Sequence, residues 1–339
     1  MLHLAAAVEP PEGPGAGPYA ELARLAEHGR LDFVTLGDPA GRPGPEALDL
    51  LGRVVPATRR IGLVPALAEP WPAPAALAGA DWIGRGRAGW RIVVPRAGAR
   101  PPARRVAGQV SRPPHGHPVR VVDADTKEGR TTAARYADVA LVPAETPAQA
   151  AAVCDELRST AIASGRDPAA LRVLVSLRVD LGGGEQAAEP GHGGGGPRPS
   201  PMGPLYRGGP VDLAELVAAW HTEGAADGFH LVPVEPRRDL ERLVNGTVAL
   251  LQHRGLFRTF YPGATLREHL DLARGESAPP PNRRTDGGDG VTTGAADEWK
   301  QRCQKREESV TAPCGPLALT ATPWPEDHPE GRLPDIPGN

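Results

Sequence analysis

The chain has 339 residues, a net charge of −3 and 40% hydrophobic residues. Such a length accommodates one α/β barrel of ~250 residues with a tail, or two smaller domains. The near-neutral charge predicts no nucleic-acid partner, and no stretch approaches the ~18 apolar residues of a membrane span. No charged-then-apolar leader opens the chain, so we expect a cytoplasmic protein.

The cysteines and a pair of histidines give little indication of a metal site. Cys154, Cys303 and Cys314 have neither zinc-ligand nor redox-motif spacing. Cys154 lies on the apolar face of a predicted helix, which is typical of a core residue. His115 and His117 flank a glycine, but two ligands without a third in register are typical of a loop. We therefore predict no metal.

Short apolar runs alternate with amphipathic segments along the first three quarters of the chain. The predicted strands are residues 2–8, 31–36, 61–66, 90–94, 118–122, 139–142, 171–179 and 229–234. The predicted helices are residues 19–28, 46–55 and 127–135, one capped by Thr146, one capped by Asp212, and residues 239–254.

Eight strands alternating with helices predict a parallel sheet, and the number eight favours a closed (β/α)8 TIM barrel over an open doubly wound sheet. No GxGxxG follows a strand, which argues against a Rossmann domain. Two connections, residues 95–117 and 181–210, are rich in proline or glycine. We therefore expect the crossover helices after strands four and seven to be shortened or missing.

The end of the chain differs in composition from the rest. Residues 276–339 are polar, rich in proline and glycine, and without hydrophobic periodicity. Such a segment cannot bury enough apolar surface to fold, which predicts disorder. The predicted organisation is a barrel domain over residues 1–275 followed by this tail.

The most specific pattern is the run LLQHRGLFRTFYPGATLREHL at residues 250–270, preceded by GAADGF at residues 224–229. The run resembles the end of the nitrilotriacetate and dibenzothiophene-sulfone monooxygenase branch of the bacterial luciferase-like, flavin-dependent monooxygenases. In that branch it has the form LQ-R-RGLFRT-Y-G-TLREHLGL. The resemblance extends to ATRRIGL (residues 57–63), GRAGW (residues 86–90) and HGHPV (residues 115–119), and covers about residues 19–275.

The resemblance implies an FMN site at the carboxyl ends of the strands, where barrel enzymes bind ligands. The resemblance also implies a site for the flavin phosphate in the turn after strand five. A hydroxyl, the N–H groups at the start of a helix and a cation at that turn would suit the phosphate dianion. An ordinary capped turn remains the alternative. The residues implied for the flavin are Pro65, Ala66, Arg91, Val94, Asp123, Thr126, Gly129 and Arg130. His3 is a candidate acid or base, with a core role as the alternative.

The chain departs from the family pattern at several of these positions. Arg91, Val94 and Pro95 stand where the family has Asn, Thr and Ser on strand four, so polar groups facing the flavin are lost. Asp123 and Asp125 bring negative charge to a turn expected to hold phosphate, which is unfavourable. Together these changes make a catalytically impaired copy a second interpretation.

Three functional interpretations follow. The first is a two-component monooxygenase that takes reduced FMN from an NAD(P)H:flavin reductase and oxidises a small organic substrate with O2. The second is a degenerate barrel with an impaired flavin site or a non-catalytic role. The third is an oxidoreductase using the deazaflavin F420. The resemblance further implies a homodimer, and the substrate cannot be inferred, because specificity is set by the site rather than the fold.

Overall fold

The structure is a computed structural model that describes residues 1–9, 17–37, 47–67, 79, 82–92, 117–182 and 196–272. The chain divides into two units, Met1–Pro281 and Asn282–Asn339, and all described residues lie in the first. The predicted tail lies outside the described residues and stays a prediction.

The described part of the chain contains the following nine strands and, among its helical segments, the following eight α-helices. The strands are β1 His3–Val8, β2 Phe33–Leu36, β3 Gly62–Leu67, β4 Gly89–Ile92, β5 Val119–Asp123, β6 Val139–Pro143, β7 Arg172–Asp180, β8 Leu205–Arg207 and β9 Gly228–Pro233. The helices are α1 Gly17–His28, α2 Ala47–Val54, α3 Lys127–Tyr136, α4 Pro147–Ala163, α5 Pro210–Thr222, α6 Pro236–Arg242, α7 Ala249–His253 and α8 Leu266–His269.

Eight of the strands close into a parallel barrel. They pair in the order β1–β2–β3–β4–β5–β6–β7–β9, and β9 returns to β1. The remaining strand, β8, pairs in parallel only with the last residues of β7. The predicted eight-stranded TIM barrel is confirmed.

The alternation of side chains along the strands divides the buried strand residues between two hydrophobic clusters. One hydrophobic cluster lies inside the barrel and contains Ala5, Phe33, Val64, Val119, Val121, Val139, Leu141, Leu174, Leu266, Leu270 and Leu272. The intervening strand residues, such as Ala6, Val34, Leu63, Ala140 and Val175, belong to the larger cluster that they form with the helices. Because successive side chains point to opposite faces, this division shows which strand residues face the barrel interior.

Two helices begin earlier in the chain than predicted, and the prolines and glycines at their ends explain the boundaries. The helix predicted from Asp212 begins at Pro210 after Gly209, because proline is favoured in the first helical position. The helix predicted over residues 239–254 begins at Pro236 and includes a π-helical turn, Leu243–Val248, before α7. Gly255 ends it with φ +70°, as the glycine stop signal predicts.

The two connections expected to lack helices have different outcomes. Residues 93–116, after β4, lie outside the described residues. After β7, residues 183–195 also lie outside them, while the remainder contains β8 and the 13-residue helix α5. The crossover from β7 to β9 therefore retains a helix.

Candidate functional site

The amino-terminal end of the barrel is closed by α8. Leu266 and Leu270 join the interior cluster together with Phe33 and Val64. A Cβ atom on Gly62 would lie 2.5 Å from Leu266 Cδ1, so only glycine admits Leu266 at this position. Thr265 and Glu268 form a capping box that starts α8. Two of the segments that resemble the family, around Gly62 and Leu266, thus meet at the base of the barrel.

His3 also lies at this amino-terminal end, in a buried charged network. Asp32 Oδ1 accepts a hydrogen bond from Arg258 Nη1 at 3.0 Å and lies 3.1 Å from His3 Nδ1, while Oδ2 accepts from the Leu4 N–H at 2.7 Å. Burial alone would raise the pKa of Asp32, but Arg258 and His3 more than offset it and hold that pKa below its ordinary value. His3 therefore lies at the other end of the barrel from the carboxyl ends of the strands, where barrel enzymes bind ligands.

The carboxyl end of the barrel interior carries a polar cluster centred on His230. Its Nε2 lies 2.9 Å from Thr35 Oγ1 and its Nδ1 lies 3.2 Å from Ser176 Oγ. The ring is fully buried and stacks at 6.5 Å on Phe33. Burial and the nearby Arg91 guanidinium hold the pKa of His230 well below its ordinary value. The imidazole is therefore neutral at neutral pH, with one nitrogen that donates and one that accepts.

Arg91 on β4 and Asp123 on β5 form a two-point ion pair beside this cluster. Arg91 Nε donates to Asp123 Oδ1 at 2.8 Å and Nη2 donates to Oδ2 at 3.1 Å. Their side chains are only 9% and 14% exposed. Strands β4 and β5 are direct neighbours, so Arg91 and the turn after β5 border the same part of the barrel mouth. The two charges neutralise each other there.

The turn between β5 and α3 and the first turn of α3 together hold three of the predicted flavin residues. Thr126 caps α3, and its Oγ1 accepts a hydrogen bond from the Gly129 N–H at 3.0 Å. A Cβ on Gly129 would lie 2.5 Å from the Asp123 carbonyl oxygen, so the helix approaches the strand as closely as glycine permits. Arg130 Nε donates to Glu156 Oε1 on α4 at 3.1 Å, and the two side chains are 29% and 48% exposed. The hydroxyl and the guanidinium therefore already have protein partners.

The remaining predicted flavin residues lie on β3 and β4. Ala66 pairs in register with Arg91 and belongs to the inward-facing set of strand residues. Pro65 is buried and, by alternation, faces away from the barrel interior. Val94 lies outside the described residues.

Sequence reasoning did not single out Thr35 or Ser176 as site residues, and it assigned no chemistry to His230. The available signal was a polar residue at an inward position of an otherwise apolar strand: Thr35 within FVTL and Ser176 within RVLVSLRVD. Strand register was needed to recognise that these positions converge, because residues 35, 176 and 230 are far apart in sequence.

Comparison with known proteins finds relatives that are named as monooxygenases. The chain is 25% identical over 406 residues to component A of the nitrilotriacetate monooxygenase of Aminobacter aminovorans, an alignment covering 76% of this chain and 90% of the relative. It is 39% identical over 69 residues to the dibenzothiophene-sulfone monooxygenase of Rhodococcus erythropolis, covering 20% of this chain and 15% of that one. The chain is therefore similar in sequence to enzymes named as monooxygenases, which supports the resemblance to the luciferase-like flavin-dependent monooxygenases. No family model matches the chain.

Among solved structures, the EDTA monooxygenase from Chelativorans sp. BNC1 superimposes with a TM-score of 0.63 at 19% identity, covering 80% of this chain and 98% of that one. At this identity the likeness supports the barrel fold alone. No helix in the described part of the chain is long and apolar enough to cross a membrane. Within the same residues, no group of three or more His, Cys, Asp or Glu side chains could hold a metal ion.

Proposed function

We propose that the protein is the oxygenase component of a two-component, FMN-dependent monooxygenase that acts on a small organic substrate. The observation that carries the proposal is the asymmetry of the barrel. Its amino-terminal end is filled by Leu266 and Leu270, whereas its carboxyl end presents the Arg91–Asp123 pair and the buried imidazole of His230. Ligands of barrel enzymes bind at that end, and the relatives are monooxygenases.

The turn between β5 and α3 has a donor set that fits the flavin phosphate. It opens a 10-residue helix, whose first N–H groups and positive dipole end favour an anion. Lys127 adds an exposed cation, and the Thr126 hydroxyl keeps its proton to donate, since its oxygen is the atom that accepts from Gly129. Asp123 does not repel the phosphate as a free carboxylate would, because Arg91 neutralises it.

Reduced FMN would supply the activation of O2, and the protein's part is to bind it, exclude water and place the substrate. Arg91 and Asp123 would form the wall of the mouth beside strand four. His230 would present a neutral imidazole held between Thr35 and Ser176. Two-component chemistry requires a supply of reduced flavin, so we expect an NAD(P)H:flavin reductase as partner. The homodimer and the cytoplasmic location stay predictions.

A catalytically impaired barrel is the second candidate, and one observation favours it. The two side chains proposed to hold the phosphate are engaged within the protein, Thr126 as a helix cap and Arg130 with Glu156. Rearrangement of Arg130 would then be needed for binding. An exposed ion pair of this kind contributes little to stability, so its loss is a small cost.

The decisive experiment identifies the cofactor and then the reaction. Purified protein is titrated anaerobically with reduced FMN and, separately, with reduced F420, and binding is followed by fluorescence. The proposal expects saturable binding of reduced FMN and, with a flavin reductase and NADH present, substrate-dependent incorporation of ¹⁸O from ¹⁸O2 across a panel of small organic amines, sulfones and carboxylates. Selective F420 binding would contradict the flavin assignment, and FMN binding without oxygen incorporation would favour the impaired barrel.

A further inference from the structure

The amino-terminal end of the barrel carries large apolar side chains that are exposed. Phe260, in the loop before α8, is 72% exposed, and Trp82, shortly before β4, is 63% exposed. Ile162, at the end of α4, is also exposed. Segments that lead into the starts of barrel strands lie at this end, and α8 closes it. Exposed apolar side chains grouped on one end of a barrel mark an interaction surface.

Three exposed arginines accompany the two aromatic side chains, namely Arg59, Arg60 and Arg85. Arg60 Nη1 donates to the carbonyl oxygen of Gly263, in the same loop as Phe260, at 3.3 Å. The N–H of Arg85 donates to the carbonyl oxygen of Trp82 at 3.3 Å. The aromatic side chains and the three arginines, together with Ile162, are called the basal surface below.

The carboxylates of this region are turned inward. Glu27 Oε1 accepts from three successive backbone N–H groups, those of residues 59–61, at 2.5 to 3.0 Å. Glu268 Oε2 accepts from the N–H groups of residues 264 and 265 at 2.8 and 3.0 Å. Within the described residues, none of the three exposed guanidinium groups has an ion pair. The basal surface is therefore positive, although the whole chain has a net charge of −3.

Arg85 occupies its position unfavourably. Its φ of +52° lies in the left-handed region that glycine adopts more readily. Burial lowers the pKa of the neighbouring Arg87, and repulsion from Arg85 and Arg60 lowers that pKa further. The described part of the chain gives the Arg85 guanidinium no hydrogen bond or ion pair in return. A strained, repelled side chain without a stabilising contact indicates a role outside folding.

The positions of these side chains favour a planar partner. Exposed apolar residues precede β4, β7 and α8, so they are spread around the barrel end rather than aligned along one groove. A bilayer surface can contact all of them at once, whereas a single strand of nucleic acid follows a line. A second copy of the chain would bring two positive surfaces together, which is unfavourable.

We propose that the basal surface docks on an anionic phospholipid bilayer. Aromatic side chains are favoured at the headgroup level, where Phe260 and Trp82 would enter, and arginines are attracted to the negative surface of anionic lipids. The arginines would contact the lipid phosphates with their forked donors. The mouth of the barrel, at the other end of the strands, then faces away from the bilayer.

The test is co-sedimentation of the full chain with large unilamellar vesicles, which requires neither cofactor nor turnover. Vesicles of phosphatidylcholine with about 30% phosphatidylserine are compared with pure phosphatidylcholine vesicles, at about 50 and about 500 mM NaCl. We expect binding to the anionic vesicles at the lower salt concentration only, because salt screens exposed charges. Pure phosphatidylcholine vesicles should bind much less protein.

Three variants test the parts of the surface separately. R59Q/R60Q should lower the partition coefficient by roughly twentyfold, about fivefold for each arginine. W82S/F260S should lower it by at least about tenfold, because apolar area no longer enters the headgroup layer. Arg85→Gly should lower it by about fivefold. That variant should unfold at no lower temperature than wild type, because glycine relieves the positive φ.

The matched control variants lie at the carboxyl end of the barrel. Arg237→Gln on α6 removes an exposed arginine, and Met202→Ser, between β7 and β8, removes an exposed apolar side chain. Both should bind the anionic vesicles within about twofold of wild type, because charges more than a Debye length from the bilayer are screened.

Absence of wild-type binding to the anionic vesicles at low salt, or equal binding by R59Q/R60Q and R237Q, would overturn the inference. A fluorescent single-stranded oligonucleotide that binds through the same residues, without vesicle binding, would assign the basal surface to nucleic acid instead. A mass that falls by half in W82S/F260S, measured by light scattering and without vesicle binding, would assign it to a second copy of the chain.

Discussion

Arg91 on β4 and Asp123 on β5 hold each other through two hydrogen bonds, of 2.8 and 3.1 Å, inside the mouth of the barrel. Each residue alone departs unfavourably from the family pattern, since one places a cation on strand four and the other an anion beside the phosphate turn. As a pair they replace the lost neutral polar groups with a neutral unit. The two departures from the family pattern are therefore complementary.

The first prediction concerns the stability of this pair. Arg91→Ala leaves the carboxylate of Asp123 without its buried partner and should lower the free energy of unfolding by ~3–5 kcal/mol. Urea denaturation monitored by circular dichroism measures the change. The double variant R91M/D123L removes both charges and should recover more than half of the loss. As a control, Arg237→Ala on the exposed face should change stability by no more than about 0.5 kcal/mol. Equal stability of R91A and R237A would show that the pair contributes nothing.

The second prediction concerns the pH dependence of stability due to His230. Burial and Arg91 depress its pKa in the folded protein, so below about pH 6.5 the unfolded chain binds a proton that the folded chain does not. This contribution to stability is present above that pH and is lost as the pH falls, by up to ~1.4 kcal/mol per pH unit.

The test compares urea denaturation of wild type and His230→Gln between about pH 7.5 and 5.5, a window above the titration of Asp32, whose pKa is lowered in the folded protein. His221 and His269, whose pKa values are also lowered by burial, contribute to both proteins and cancel in the comparison. The variant should lose less stability than wild type on acidification. Parallel pH profiles for the two proteins would contradict a neutral, buried His230.

The third prediction compares two glycines. A Cβ on Gly129 would lie 2.5 Å from the Asp123 carbonyl oxygen, whereas a Cβ on Gly52 in α2 meets nothing within 4 Å. Gly129→Ala should therefore destabilise the protein by about 1–3 kcal/mol, as expected for forced overpacking. Gly52→Ala should stabilise it by about 0.5–1 kcal/mol through helix propensity. Thermal unfolding of the two variants measures both changes in stability. A stabilising effect of Gly129→Ala would mean that α3 does not start against β5 as described.

The barrel was predictable because its signal is local and repeated. Eight apolar runs and amphipathic helices mark the βα units, and Thr146 before Pro147 marks the start of α4 as predicted. The extra strand β8 was missed because three residues, Leu205–Arg207, are too short for a periodic pattern. The start at Pro210 was missed because Asp212 and Glu215 also match a capping box.

The site was only partly predictable, because its contacts are between residues distant in sequence. Asp123 and Arg91 were each identified, but their pairing follows from the register of β4 and β5. His3 is a candidate by its residue type, and its place at the start of the predicted strand 2–8 already indicates the amino-terminal end of the barrel, whereas its contact with Asp32 follows only from the structure.

The most direct measurement of the central claim is the affinity for reduced FMN of the variant T126A/R130A beside that of Thr146→Ala. Thr146 caps α4 as Thr126 caps α3, with its Oγ1 accepting from the Gln149 N–H at 3.2 Å, so it controls for loss of a helix cap after a barrel strand. We predict that T126A/R130A binds reduced FMN at least about tenfold more weakly than wild type, while T146A binds it with wild-type affinity. Equal affinities in all three proteins would contradict a flavin phosphate at the turn between β5 and α3.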